Sequence, residues 1–73
     1  MPLTLSKRGV TAEVNRIGGP EAIRKRLESM GFCAGTIVTI VSELDGNLIV
    51  GVKESRVALS RELASKIFVS DAA

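Results

Sequence analysis

Residues 18–41, GGPEAIRKRLESMGFCAGTIVTIV, decide the fold. They read as a tight glycine turn, a short basic helix, a glycine stop and a β-branched strand. Gly18-Gly19 make the turn. Pro20 suits the first helical position, because the N–H it lacks would have no partner there. Glu21 places negative charge in the first turn, where the helix dipole favours it. Ile23, Leu27 and Met30 recur at helical spacing and define the face that seeks a core. The spacing predicts a helix over about residues 20–30. Gly31 supplies the left-handed residue that ends it, and Phe32 follows where a Schellman motif expects an apolar contact back to Leu27. Thr36 to about Glu43 is then a strand by composition.

Outside this stretch the patterns are those of strands. Leu3 and Leu5 alternate with polar neighbours and predict a short extended lead-in, followed by a turn at Lys7-Arg8-Gly9. From Val10 to Ile17 the chain alternates, with Val10, Ala12 and Val14 on one face. Ile17 falls out of phase, which marks a strand end or a bulge. Asp45-Gly46 is a strong hairpin signal. Leu48, Val50 and Val52 then alternate up to a polar turn, Lys53-Glu54-Ser55, and Arg56–Leu59 continue as strand. Ser60 can cap one helical turn over about 61–64. Lys66–Val69 make a last short strand, and 70–73 are expected to fray. About five short strands with tight turns predict a mainly β fold, a small barrel with one inserted helix, because closure protects strand edges.

Composition narrows the function. Seventy-three residues allow one domain, here taken as 1–73, and one small core. The core must be aliphatic, since Phe32 and Phe68 are the only aromatics. The formal net charge of +2 is well short of the positive field of a dedicated nucleic-acid binder. A single cysteine cannot form an internal disulfide, and no signal-peptide-length or bilayer-spanning apolar run is present. These features predict a cytoplasmic location. The chain opens on a methionine and shows no tag or linker, which reads as a complete small protein.

There is no histidine, so the commonest general base and the commonest metal ligand are both missing. Cys33 has no second cysteine and no histidine to activate it, and it reads as a small buried hydrophobe. Glu43 and Asp45 flank a hairpin mouth and read as solvated turn charge. The Gly18-Gly19 turn is no phosphate cradle. Pro20 removes a donor, and Glu21 puts a carboxylate where a phosphate would sit. No catalytic residue, metal site or cofactor is predicted.

The remaining features concern contact surfaces. Arg24, Lys25 and Arg26 are consecutive, and about 100° per residue spreads them round the helix instead of gathering them into a stripe. Glu21 and Glu28 stand four residues from Lys25 and Arg24 and offer local pairing. With no aromatics to stack bases, a solvated helix face is favoured over nucleic-acid binding, and a protein-docking face fits as well. If Val38, Ile40, Leu48, Val50 and Val52 face inward, period-two geometry sends Ile37, Val41 and Ile49 outward. Part of that set is expected to pack under the helix. Whatever does not is an aliphatic contact surface.

Taken together, the chain resembles the FeoA family of small ferrous iron transport accessory proteins. The resemblance runs from Pro2 to Val69. It is carried by Leu3-Thr4-Leu5 with Gly9, by Val14-Asn15-Arg16-Ile17-Gly18-Gly19, and by Arg26-Leu27-Glu28-Ser29-Met30-Gly31-Phe32. It continues through Gly35-Thr36 with Val38 and Ile40, Leu48-Ile49-Val50-Gly51-Val52, and Arg56-Val57-Ala58-Leu59 with the Ser60–Ala64 turn. Ala34 stands where a proline is usual, Glu54 where glycine is common, and Arg8 where proline is frequent. The resemblance implies an SH3-like barrel with a helix inserted after the first long strand. It implies a non-enzymatic role beside a FeoB-type membrane ferrous iron permease, through that protein's cytosolic GTP-binding region. The family carries a transition-metal-ion-binding label but supplies no metal-ligand motif to place here. The predicted partner-binding residues are therefore Arg24 and Lys25 on the helix and Ile37, Val41 and Ile49 on the strands. Alternative readings are a small-barrel nucleic-acid binder, an interaction module like that of metal-dependent repressors, and a weak homo-oligomer.

Overall fold

The computed structural model describes residues 1–71. Five strands form one antiparallel sheet: β1 (Thr11–Ile17), β2 (Ile37–Leu44), β3 (Asn47–Val52), β4 (Ser55–Ser60) and β5 (Ile67–Asp71), in the order β4-β3-β2-β1-β5. Helix α1 (Glu21–Ser29) joins β1 to β2, and a single turn, α2 (Arg61–Ala64), joins β4 to β5. The sheet curls round one aliphatic core. Cross-strand rows build that core from alternate residues: Ala12, Val38 and Val52 in one row, Ile40, Val50 and Val57 in the next, and Leu48 with Leu59 beyond.

The helix ends as its sequence requires. Gly31 has φ +103°, and two bonds close the Schellman motif: the Phe32 N–H donates to the Leu27 carbonyl at 3.0 Å, the Gly31 N–H to that of Glu28 at 3.0 Å. This turn drives Phe32 into the core, where it is fully buried with Leu27, while Ile23 and Met30 pack at the margin. A Cβ at Gly31 would lie 3.5 Å from Val52 Cγ2, an ordinary contact, so the obstacle to a side chain there is the backbone conformation alone. Gly31→Ala is expected to lower stability by about 1–2 kcal/mol, read as a lower urea midpoint with an unchanged denaturant slope. The Asp45-Gly46 hairpin forms with both residues at positive φ, +51° and +81°, the signature of a type I′ turn. The Ser60 hydroxyl accepts the Leu63 N–H at 3.2 Å and caps α2.

Several local expectations are corrected. Leu3–Leu5 form a 3-10 turn, not an extended lead-in, because burying Leu3 bends the chain and the Leu5 N–H closes on the Pro2 carbonyl at 3.0 Å. Val10 lies in the turn before β1, exposed, and does not join Ala12 and Val14 inside. Pro20 is the N-cap, not the first helical residue: its ψ of 156° is extended, and its carbonyl accepts the Arg24 N–H at 3.0 Å. The phase break near Ile17 is a register shift between Val14 and Arg16, which leaves Asn15 as the extra residue. Ser70 and Asp71 are not frayed but belong to β5, paired with Glu13 and Ala12. The remainder of the expected frayed tail, Ala72 and Ala73, lies outside the described residues. Cys33 is exposed, not buried. The glycine stop turns Phe32 inward, so its neighbour faces out, and the Cys33 thiol donates a weak bond to the Glu28 carbonyl at 3.8 Å.

Candidate functional site

The outer face of the sheet gathers the aliphatic residues that alternation leaves outside. Ile37 opens β2 opposite Glu13 and is 48% exposed. The ladder between β2 and β3 shifts register between Ile40 and Ser42, so Val41 occupies a bulge. Its Cγ2 lies 3.5 Å from where a Gly51 Cβ would stand, so the glycine makes room for it. Ile49 pairs with Ser42 on one side and with Ala58 on the other, which puts it beside Val41 in the middle of the face. Ile37, Val41 and Ile49 thus share one surface. The expectation that part of this set packs under the helix is not met. Helix α1 presses Ile23, Leu27 and Met30 onto the core, on the opposite side of the sheet.

The bulge also recruits a residue that alternation hides. Counting by twos from Val38 and Ile40 sends Leu44 inward. The extra residue at Val41 flips the phase, so Leu44 pairs with Asn47 and stands 64% exposed at the far end of the same face. Nothing local in the sequence signals this. The same flip carries Glu43 to the inner column opposite Leu48, at the rim, where it forms an ion pair with Arg61. That rim also borders a cavity of about 350 Å³ lined by Thr4, Ser6, Arg8 and Ser42 among others, in which the Ser6 hydroxyl has no hydrogen-bond partner.

Arg24 and Lys25 are exposed on the solvent side of α1. Lys25 pairs with Glu21 at 3.2 Å, as the four-residue spacing predicts, while both side chains stay largely solvated. Such a pair contributes little to stability. Other bases are also engaged. The Arg16 guanidinium lies 4.1 Å over the Phe68 ring, and Arg61 is held by Glu43. The positive charges are thus dispersed over separate elements and partly satisfied, which is not the clustered footprint of a nucleic-acid groove. Among the described residues, no three His, Cys, Asp or Glu side chains converge.

The arrangement is a rigid aliphatic sheet face with a separate polar helix face, and its residue order can be set against known proteins. The FeoA domain model matches residues 1–71. The chain belongs to the FeoA family. A relative from Methanocaldococcus jannaschii, "Putative Fe(2+) transport protein A", is 35% identical over 71 residues, covering 97% of this chain and 87% of the relative. The crystal structure of an iron uptake regulatory protein, FeoA, superposes with a TM-score of 0.87 at 29% identity over 94% of this chain and 92% of that one. Stenotrophomonas maltophilia FeoA, solved with zinc and described as a prokaryotic SH3 domain protein, superposes with a TM-score of 0.84 at 28% identity, covering 96% of this chain and 89% of that one. The mainly β, SH3-like architecture implied by the resemblance is therefore that of the FeoA fold, with α1 as its inserted helix. No helix among the described residues is long and apolar enough to cross a membrane.

Proposed function

We propose that this chain is a non-enzymatic, single-domain accessory protein of ferrous iron uptake. In this reading it works in the cytoplasm, docking on the cytosolic GTP-binding part of a FeoB-type permease and modulating transport there. Family membership supports the iron-transport role. The Methanocaldococcus relative is named for Fe(2+) transport, and the Stenotrophomonas one is described as a candidate ferrous iron transport activating factor. The observation that carries the docking mechanism is the outward aliphatic set: Ile37 exposed, Val41 and Ile49 half-buried, extended by the exposed Leu44. Large apolar side chains gathered on one outer face mark a contact surface. Anchors of this kind set the lifetime of a complex, while charges at its edge set the association rate.

Arg24 and Lys25 stand on the separate helix face, away from this patch, and act through the longer-range field that steers association. Both are exposed, and the pairing of Lys25 with Glu21 is made between largely solvated side chains. Reversing both to glutamate is expected to leave the urea midpoint nearly unchanged. It should slow association with the permease's cytosolic domain severalfold at low salt, with the difference fading as salt is raised. Stopped-flow or surface-binding kinetics on the double variant check this. Parental association rates at low salt would exclude the helix from the interface and leave the sheet face alone.

A further inference from the structure

Five large hydrophobic side chains stand exposed among the described residues, and three of them, Met1, Leu5 and Val10, line one groove of about 300 Å³ together with Lys7 and Asp71. This groove is separate from the outer sheet face that carries Ile37, Val41 and Ile49. Its walls are pinned. Leu3 anchors the 3-10 turn in the core, and the Ser6 N–H donates to the Leu3 carbonyl at 3.0 Å. The Val10 N–H closes on the Lys7 carbonyl at 3.2 Å, and the Gly9 N–H reaches the Ile40 carbonyl at 2.9 Å. The Val69 N–H donates to the Met1 carbonyl at 2.7 Å. A surface already held in shape loses little ordering entropy when it is covered.

The charges at the groove say what would cover it. The α-ammonium of Met1 already donates to the Val69 carbonyl at 3.0 Å. Lys7 and Asp71 are exposed, and neither has an ion-pair partner among the described residues. A fitting partner brings an acid for Lys7, a base for Asp71 and an apolar side chain for the groove. This chain carries all three in the same patch. Leu5, at 67% exposed, is the most exposed of the three apolar lining side chains and has the most to gain from burial. A two-fold arrangement that set Lys7 against the partner's Asp71, and Asp71 against the partner's Lys7, would cover both copies' Leu5 as well. That is the self-complementarity an isologous interface requires. An anionic lipid surface is the competing occupant: Lys7 and the Met1 ammonium would favour it, while Asp71 would face the headgroups and oppose it.

We propose that the chain forms a weak two-fold homodimer through the Leu5, Val10, Lys7 and Asp71 groove, leaving the outer sheet face free. The test is sedimentation equilibrium of the full chain from ~10 µM to ~1 mM, the range where a small interface of this kind associates. The parental chain should dimerise within that range, and Leu5→Asp should remain monomeric throughout. Lys7→Asp and Asp71→Lys should each weaken self-association by about tenfold or more. Mixing these two single variants should yield a heterodimer, and the double swap should restore the homodimer. The mixture also shows that both variants are folded and competent. A monomeric parental chain across the range overturns the proposal, as does self-association untouched by the single charge reversals or a mixture that fails to pair. Binding to anionic vesicles without self-association would assign the groove to a lipid surface instead and would equally overturn the dimer.

Discussion

Phe32→Ala is expected to lower the stability of this chain by about 3–5 kcal/mol, the largest loss of any single truncation here. Phe32 is the bulkiest of the fully buried side chains and the one buried aromatic among the described residues. It is also where the helix stop meets the core. The Phe32 N–H closes the Schellman motif on Leu27, and both side chains are fully buried. Truncation opens a cavity that the surrounding sheet cannot collapse into, because the rows Ala12–Val38–Val52 and Ile40–Val50–Val57 are fixed by their ladders. A chain of this size has a total stability of roughly 4–11 kcal/mol, so much of the variant should be unfolded in water. Urea denaturation followed by circular dichroism measures the loss. Phe32→Leu should cost far less, since it keeps most of the volume. If Phe32→Ala unfolds at the parental urea concentration, the core is not organised round this residue.

The second large effect concerns binding. Ile37→Lys combined with Ile49→Glu is expected to weaken docking on a permease's cytosolic domain by about a hundredfold or more, as loss of central apolar anchors does. The charges are chosen to suit their surroundings. Lys at 37 faces Glu13 directly across the ladder, and Glu at 49 sits diagonal to Arg56, since Ile49 pairs with Ala58 and Gly51 with Arg56. Both positions lie outside the core, so the unfolding free energy from urea titration should change by less than about 1 kcal/mol. Lost binding with retained stability separates a docking surface from a structural one.

Much of the fold was legible because short-range chemistry dictated it. Gly31 and Phe32 mark the helix stop, Asp45-Gly46 marks the hairpin, and Ser60 marks the cap of α2. In each case a backbone conformation or a side-chain acceptor admits few residue types. The inward set Val38, Ile40, Leu48, Val50 and Val52 followed from a period of two. What escaped the sequence was set by long-range pairing. The bulge at Val41 arises from register with β3 and has no local marker, whereas the bulge at Asn15, set by register with β5, left a phase break at Ile17. The Val41 bulge hid Leu44. The 3-10 turn at Leu3–Leu5 exists because Leu3 is drawn into the core, although Leu3 and Leu5 alternate like a strand. Val10 was assigned to the core by the same alternation, yet the strand begins one residue later and Val10 becomes a wall of the N-terminal groove. The outward position of Ile37, Val41 and Ile49 was readable. That the helix leaves them uncovered was not, since it depends on which side of the sheet α1 crosses.

Calorimetric titration of the chain into the isolated cytosolic GTP-binding domain of a FeoB-type permease tests the central claim most directly. The parental chain should give saturable binding with the negative heat-capacity change of apolar burial. The Ile37→Lys, Ile49→Glu variant should give none at the same concentrations while keeping its fold. No saturable binding by the parental chain, or equal binding by the variant, would contradict docking through the outer sheet face.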